Sequence, residues 1–399
     1  MRNIIITGGG MVNKGAQAMT LIAVHELRKR FPDHRIYLYS PVDLANPKLD
    51  KGVFTFDFIG WYPLKFARCQ HNPLWRVVTL LRSRSELLEA ETVYRNTDFI
   101  VDVSGYALGS NWNDKVCNDF LDILEFANGF GIPVYLMPQS FGPFDFGKGR
   151  KAVNARIQKL LPTAKIIFVR EQEGYEALVS TYGLKNVQLA RDLVLSNRGI
   201  DLANVFVTPP TLRLPEIRSE SVGVIPNSMN SAIGNQAAVL ELYVSAINAL
   251  LAHGKTVYLL SHSAMDSGLC RKLKEPFCSN EKVILLEQDF SCLEFNELVK
   301  KFRYLVASRF HSIVHAFKNG IPCIAMGWAT KYHDLLNLFD QGQYILDVRN
   351  DIGEPEMHAI IDRMNARYLE ESEKIRKGLA AVQKQNVFDI VTQHRKELS

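Results

Sequence analysis

Short runs of β-branched and aliphatic residues recur through the first half of the chain, at 3–7, 35–39, 98–103, 132–137 and 165–169, separated by amphipathic stretches. That rhythm predicts βαβ units on a parallel sheet, each strand followed by a helix that returns across one face. Around residues 196–220 the pattern lapses into Ser, Asn, Arg and Pro, with Pro209, Pro210 and Pro215, which predicts a linker. It resumes at Val222-Gly223-Val224-Ile225 and continues through predicted strands near 256–260, 282–286, 304–307 and 322–326. Two α/β domains in tandem are expected, residues 1–200 and 220–365. A polar, amphipathic helical segment, 366–399, is expected to follow and to pack back on the first domain.

A chain of 399 residues, 47% hydrophobic and 22% charged, suffices for two cores with a ligand cleft between them. Its six cysteines are scattered, with neither a C-x-x-C pair nor zinc-ligand spacing, so a reduced, cytoplasmic protein is expected. Only three consecutive apolar residues, Ile4, Ile5 and Ile6, precede Gly8, fewer than expected of a signal peptide, and no run approaches the roughly 18 apolar residues of a membrane span. The net charge of +5 has one local source: residues 61–85 carry Lys65, Arg68, Arg76, Arg82 and Arg84 and no acid. The remainder balances at 42 of each sign, which argues against a nucleic-acid binder. Within 61–85, Leu74, Val77, Val78, Leu81 and, further on, Leu88 fall on one helical face, edged by Trp61, Tyr62, Phe66 and Trp75. Such a helix either rests on an anionic membrane or packs on the first domain with its arginines in water.

The first predicted strand runs into Gly8-Gly9-Gly10-Met11-Val12-Asn13-Lys14-Gly15, and a helix is predicted over 16–30. Backbone N–H groups at such a turn can cradle a phosphate or a sugar. The dinucleotide fingerprint fails for want of a glycine at Asn13, and the P-loop fails because Ala16-Gln17 follows Gly15. A bare turn without a ligand is the competing reading.

The densest chemistry lies in Ala307-Ser308-Arg309-Phe310-His311-Ser312. A strand is predicted to end at Ala307, Ser308 to cap, and a helix to begin close to His311. Guanidinium, imidazole and helix dipole then converge at the carboxyl end of a strand, and burying them together calls for an anionic ligand. A solvated arginine is the plainer alternative. His311 and His315 have the i, i+4 spacing of a metal pair, but Ser312 stands where a zincin has Glu, so no metal is expected.

Ser308-Arg309-Phe310-His311, then Gly320-Ile321-Pro322 and Lys331, resembles the C-terminal signature of the polysaccharide pyruvyl transferase family. Asn13-Lys14-Gly15, Ser104-Gly105, Gln139-Ser140-Phe141-Gly142-Pro143, Arg170-Glu171 and Arg191-Asp192 follow the family's order, over residues 1 to about 340. The resemblance implies two Rossmann-like domains facing a cleft, as in the GT-B glycosyltransferases. It also implies transfer of pyruvate from phosphoenolpyruvate onto two hydroxyls of a surface-polysaccharide precursor, free or lipid-linked, with phosphate released. The donor site would lie mainly on the second domain's side of the cleft, with Arg309, Phe310, His311 and Lys331 joined by Arg170 of the first domain, and with His311, Arg309 and Lys331 catalytic. Two departures stand out: Ala16-Gln17 where relatives carry an acid, and Gly105-Tyr106 where they carry Gly-Gly.

The residue chemistry agrees with that implication. A small frame bearing carboxylate and phosphate needs guanidinium forks and an ammonium, supplied by Arg170, Arg309 and Lys331. Protonation of its methylene needs an acid near neutrality, the role expected of His311. Asn13, Lys14, Gly15, Asp102, Gln139 and Ser140 are the expected acceptor contacts, although Gln139-Ser140 with Gly142-Pro143 also reads as a plain turn. His262 either reaches the cleft or lies in an exposed loop. No cofactor is expected. A glycosyltransferase holding a nucleotide diphosphate on the same cations, and a non-catalytic glycan-precursor-binding protein, remain as alternatives.

Overall fold

The computed structural model describes residues 2–60, 77, 85, 88–233, 236–350 and 352–397. Seven strands build the first sheet: β1 (Asn3–Thr7), β2 (Arg35–Tyr39), β3 (Asp57–Ile59), β4 (Thr97–Asp102), β5 (Val134–Gln139), β6 (Ile166–Val169) and β7 (Val187–Leu189). All pair in parallel, in the order β3-β2-β1-β4-β5-β6-β7. Six more build the second: β8 (Ser221–Ile225), β9 (Thr256–Leu260), β10 (Val283–Leu286), β11 (Leu305–Ala307), β12 (Cys323–Gly327) and β13 (Ile345–Asp347). Their order is β10-β9-β8-β11-β12-β13, again all parallel. Both sheets therefore reverse direction of growth once, between β1 and β4 and between β8 and β11. Open α/β sheets bind ligands just beyond the strand ends at such a point.

The alternation of side chains along the strands divides the first sheet's two faces. Ile4, Ile6, Phe99, Val101, Tyr135 and Phe168 belong to a core that continues into the second sheet, whereas Ile5, Ile100, Leu136 and Ile167 belong to a separate one. Burial on both faces explains why these strands read as unbroken apolar runs. Strands β3, β7 and β13 lie at sheet edges, are three residues long and carry too little pattern to be predicted.

The helix Lys14–Arg30 begins two residues earlier than the periodicity suggests, because Asn13 caps it: Oδ1 accepts the N–H groups of Gly15 (2.9 Å) and Ala16 (3.3 Å). The division expected at 366 falls inside one continuous helix, Glu354–Val382, since nothing there breaks helical backbone. After it, the helix Val387–Glu397 lies on the first sheet's half, where Tyr135 bonds His394 at 2.8 Å and Arg395 pairs with Asp98 at 2.7 Å. Among the described residues no helix is long and apolar enough to cross a membrane. The predicted basic helix of 61–85 lies outside the described residues apart from Val77 and Ser85.

Candidate functional site

The carboxyl ends of the strands supply nearly all of the site. Arg170 directly follows β6, and its guanidinium ties three neighbouring loops together. Nη1 donates to Asp192 Oδ2 at 2.6 Å, and Nη2 donates to Gly105 O at 2.9 Å and to Ser140 Oγ at 2.6 Å. Ser140 in turn donates to Glu171 Oε1 at 2.6 Å. Arg170 and Asp192 are both buried, so each charge needs the other, and removing one would leave its partner buried and uncompensated. Burial pushes the Asp192 carboxyl up, but Arg170 and His311 outweigh it and hold the group below its ordinary value.

The second sheet presents its cations from β11 and β12. The helix Phe310–Lys318 starts one residue before His311, and Arg309 occupies its N-cap position without a side-chain cap bond. Ser308, the expected cap, instead bonds Tyr243 through its hydroxyl at 2.5 Å, because it is fully buried beneath the turn. Phe310 lays its ring over the Arg170 guanidinium at 4.7 Å, a cation–π contact between the two halves. Lys331, at the start of the helix Thr330–Asn337, sits among the rings of Tyr106 (5.3 Å), Phe310 (5.4 Å) and Tyr332 (5.9 Å). Partial burial, followed by the repulsion of Arg170, lowers its ammonium to about 8.

His311 stands at the junction. A Cβ on Gly15 would lie 2.4 Å from its Nδ1, so only glycine lets the first helix approach the ring this closely. Its Nε2 lies 3.9 Å from Asp192 Oδ2, beyond hydrogen-bond reach, and has no partner. Burial, aided by Arg170 and Lys331 and opposed by Asp192, lowers the imidazole to about 4. The acid expected near neutrality is thus a neutral imidazole at pH 7 in these surroundings.

Several other expected residues have different surroundings. Arg309 spends one edge on a buried carboxylate: Nε and Nη2 donate to Asp266 at 2.7 and 2.6 Å, and Asp266 also accepts from Ser228 N and Oγ. Asp102 and Gln139 do not face an open cleft. They are buried and bonded to each other at 3.2 Å, and Asp102 also accepts from Thr7 and Ser104, which makes the pair a brace beneath the glycine turn. Lys14 is buried and donates to Asp289 at 2.7 Å across the two halves, while Asn13 sits exposed as a cap. His262 is buried edge-on against Phe295, with ring centroids 4.9 Å apart, and is not an exposed loop residue. His315 is buried as well, with Nδ1 3.3 Å from Asn296 Oδ1. Among the described residues no group of three metal-ligating side chains exists.

The structure therefore brings together Arg170, Ser140, Phe310, His311, Lys331 and Gly15. Sequence reasoning left Asp192, Glu171, Tyr106 and Asp266 without roles. Glu171 was legible as a charged residue placed just past a predicted strand, whereas Asp192 follows the short edge strand β7 and Asp266 ends a short turn (Ala264–Asp266), neither of which carries a pattern signal.

No curated protein matches the chain. Among solved structures it resembles UGT71G1 of Medicago truncatula, complexed with UDP-glucose, at 14% identity over 98% of each chain with a TM-score of 0.53. It also resembles UGT2 of Phytolacca americana, complexed with UDP-2-fluoroglucose and pterostilbene, at 12% identity over 99% of this chain and 100% of that one, TM-score 0.56. A third, MnaA of S. aureus with UDP, is 10% identical over 94% and 91%, TM-score 0.55. These likenesses establish a GT-B-type architecture of two α/β units. The family model for polysaccharide pyruvyl transferases matches residues 13–330, a span that takes in Asn13-Lys14-Gly15, Arg170, Asp192 and the Arg309–His311 helix start, so the chain belongs to the polysaccharide pyruvyl transferase family.

Proposed function

We propose that the protein transfers pyruvate from phosphoenolpyruvate onto two hydroxyls of a sugar in a surface-polysaccharide precursor, forming a cyclic ketal and releasing phosphate. The observation that carries this reading is the meeting of Arg170 from one half with His311 and Lys331 from the other, linked through Phe310 and Asp192. A small donor with a carboxylate and a phosphate on one carbon matches cations so closely grouped.

In the reaction proposed, Arg170 and Lys331 bind the donor's two anionic groups, with the helix N-terminus at Phe310–His311 adding backbone donors. His311 delivers a proton to the methylene carbon, which becomes a methyl group, and a sugar hydroxyl forms its bond to C2. The bond from C2 to the phosphate oxygen then breaks with its electron pair, and the second hydroxyl closes the ring at C2. One hydroxyl proton replaces that spent on the methyl group, and the other leaves with phosphate. No cofactor enters this sequence.

The acceptor is proposed to be lipid-linked and met at the cytoplasmic face of the membrane. The sequence of 61–85, basic and edged with aromatic residues, supports that location. Co-sedimentation with anionic vesicles at low salt tests it, and no enrichment over neutral vesicles removes it.

Calorimetric titration with phosphoenolpyruvate beside UDP and GDP tests the donor. Binding of the enol phosphate, lost in Arg170→Ala, with no nucleotide response is the expected result. A nucleotide response without phosphoenolpyruvate binding overturns the reading.

A further inference from the structure

Asp192 makes more contacts than a partner for Arg170 needs. It caps the short helix Leu193–Ser196, where Oδ1 accepts the Val194 N–H at 2.8 Å. Its other oxygen, Oδ2, faces two groups at once: Arg170 Nη1 at 2.6 Å from its own half, and His311 Nε2 at 3.9 Å from the opposite half. Both carboxylate oxygens are thus fixed, and the carboxylate cannot turn away from the imidazole without losing the cap and the guanidinium.

The charged groups around His311 are mixed. From the first half Arg170 and Asp192 face it, beyond the uncharged backbone of Gly15; from the second, Lys331 and the ring of Phe310; further off along and behind its helix, the buried His315 and His262. Burial, aided by the two cations, outweighs the attraction of Asp192 and holds the ring neutral. An anion bound between Arg170 and Lys331 offsets their repulsion of an imidazolium, and the attraction of Asp192 Oδ2, 3.9 Å from Nε2, then outweighs it. The 3.9 Å gap also matters for transfer. A proton on Nε2 would be stabilised by Oδ2 through its charge without being tied to it in a short hydrogen bond, and so stays free to leave.

We infer that Asp192 is the positioning residue for His311, fixing Arg170 and stabilising the imidazolium, so that donor binding brings a proton onto His311 Nε2 from solvent. This inference rests on the donor reading above. The proton consumed at the methylene carbon then enters with the donor, and a site without donor carries no proton to lose.

The test is calorimetric titration of phosphoenolpyruvate at pH 7 in two buffers of different ionisation enthalpy, which counts protons taken up per donor bound. The wild-type protein is expected to take up about one proton. His311→Gln is expected to retain only the small contribution of the donor and of Lys331. Asp192→Asn is expected to take up much less than the wild type, and Asp192→Glu, which restores the charge, to recover part of it. A role limited to holding Arg170 would weaken donor binding in Asp192→Asn and leave the proton count at the wild-type value, and that result overturns the inference. Persistence of the wild-type count in His311→Gln overturns it too, and needs no folded Asp192 variant. Donor binding by the wild type with no proton uptake sinks the inference alone, whereas absence of any donor binding sinks the donor reading.

Discussion

Gly15→Ala tests whether the close approach of the first helix to His311 governs the site. The added methyl carbon would lie 2.4 Å from Nδ1, 2.6 Å from Cγ and 3.0 Å from Cε1 of the ring, where ordinary contact begins near 3.4 Å. Either the helix Lys14–Arg30 or the imidazole must therefore shift by about 1 Å, and the two helices that carry them contribute side chains to one shared core. Overpacking of this kind costs about 1–3 kcal/mol, and a 1 Å displacement of a catalytic group costs about 100-fold in rate. We expect a melting temperature lower by about 2–3 °C for a loss of about 2 kcal/mol in a chain of this length, and phosphate release from phosphoenolpyruvate reduced about 100-fold. Gly268→Ala is the control, since a Cβ there meets nothing within 4 Å inside the helix Ser267–Lys274, and it should gain about 0.5–1 kcal/mol with unchanged activity. Wild-type rate and melting temperature in Gly15→Ala would refute the claim that this contact sets the geometry of His311.

Because Lys331 is held at about 8, its charge is present below that pH and lost above it, so donor affinity should fall by up to about tenfold per unit above pH 8. Titrations from pH 7 to 9.5 measure this, and Lys331→Gln should abolish the slope. Asp266→Ala leaves the Arg309 guanidinium without its buried partner and should cost about 3 kcal/mol in urea denaturation, with the loss centred on the second half. Ending the chain at Asn386 removes the buried side chains of Val387, Phe388 and Val391 and should cost about 5 kcal/mol in the same assay, even though no residue of the site is deleted.

The central strands of both sheets were legible because they are buried on both faces and read as apolar runs, as Ile4–Ile6 and Val222–Ile225 do. The glycine turn and the Arg309–His311 stretch were legible for a related reason: they lie where a strand pattern stops, at the carboxyl ends where an α/β sheet places its ligands. Charge could be counted along the chain, and so could the acids that fail to appear in 61–85. Pairing could not be read this way. Asp266 belongs to Arg309 across 43 residues, Lys14 to Asp289 across 275, and Asp192 to both Arg170 and His311, and no local pattern encodes partners at such separations. The protonation state of His311 depends on the same long-range packing. Its residue type suggests an acid near neutrality, but burial between two sheets and two neighbouring cations makes it a neutral base until an anion arrives. The local order of strands, turns and cationic residues was determined by the sequence itself. Which charges meet, and which proton each carries, was decided only by the tertiary structure, because electrostatic energy depends on distance and burial, and folding brings together residues far apart in the chain.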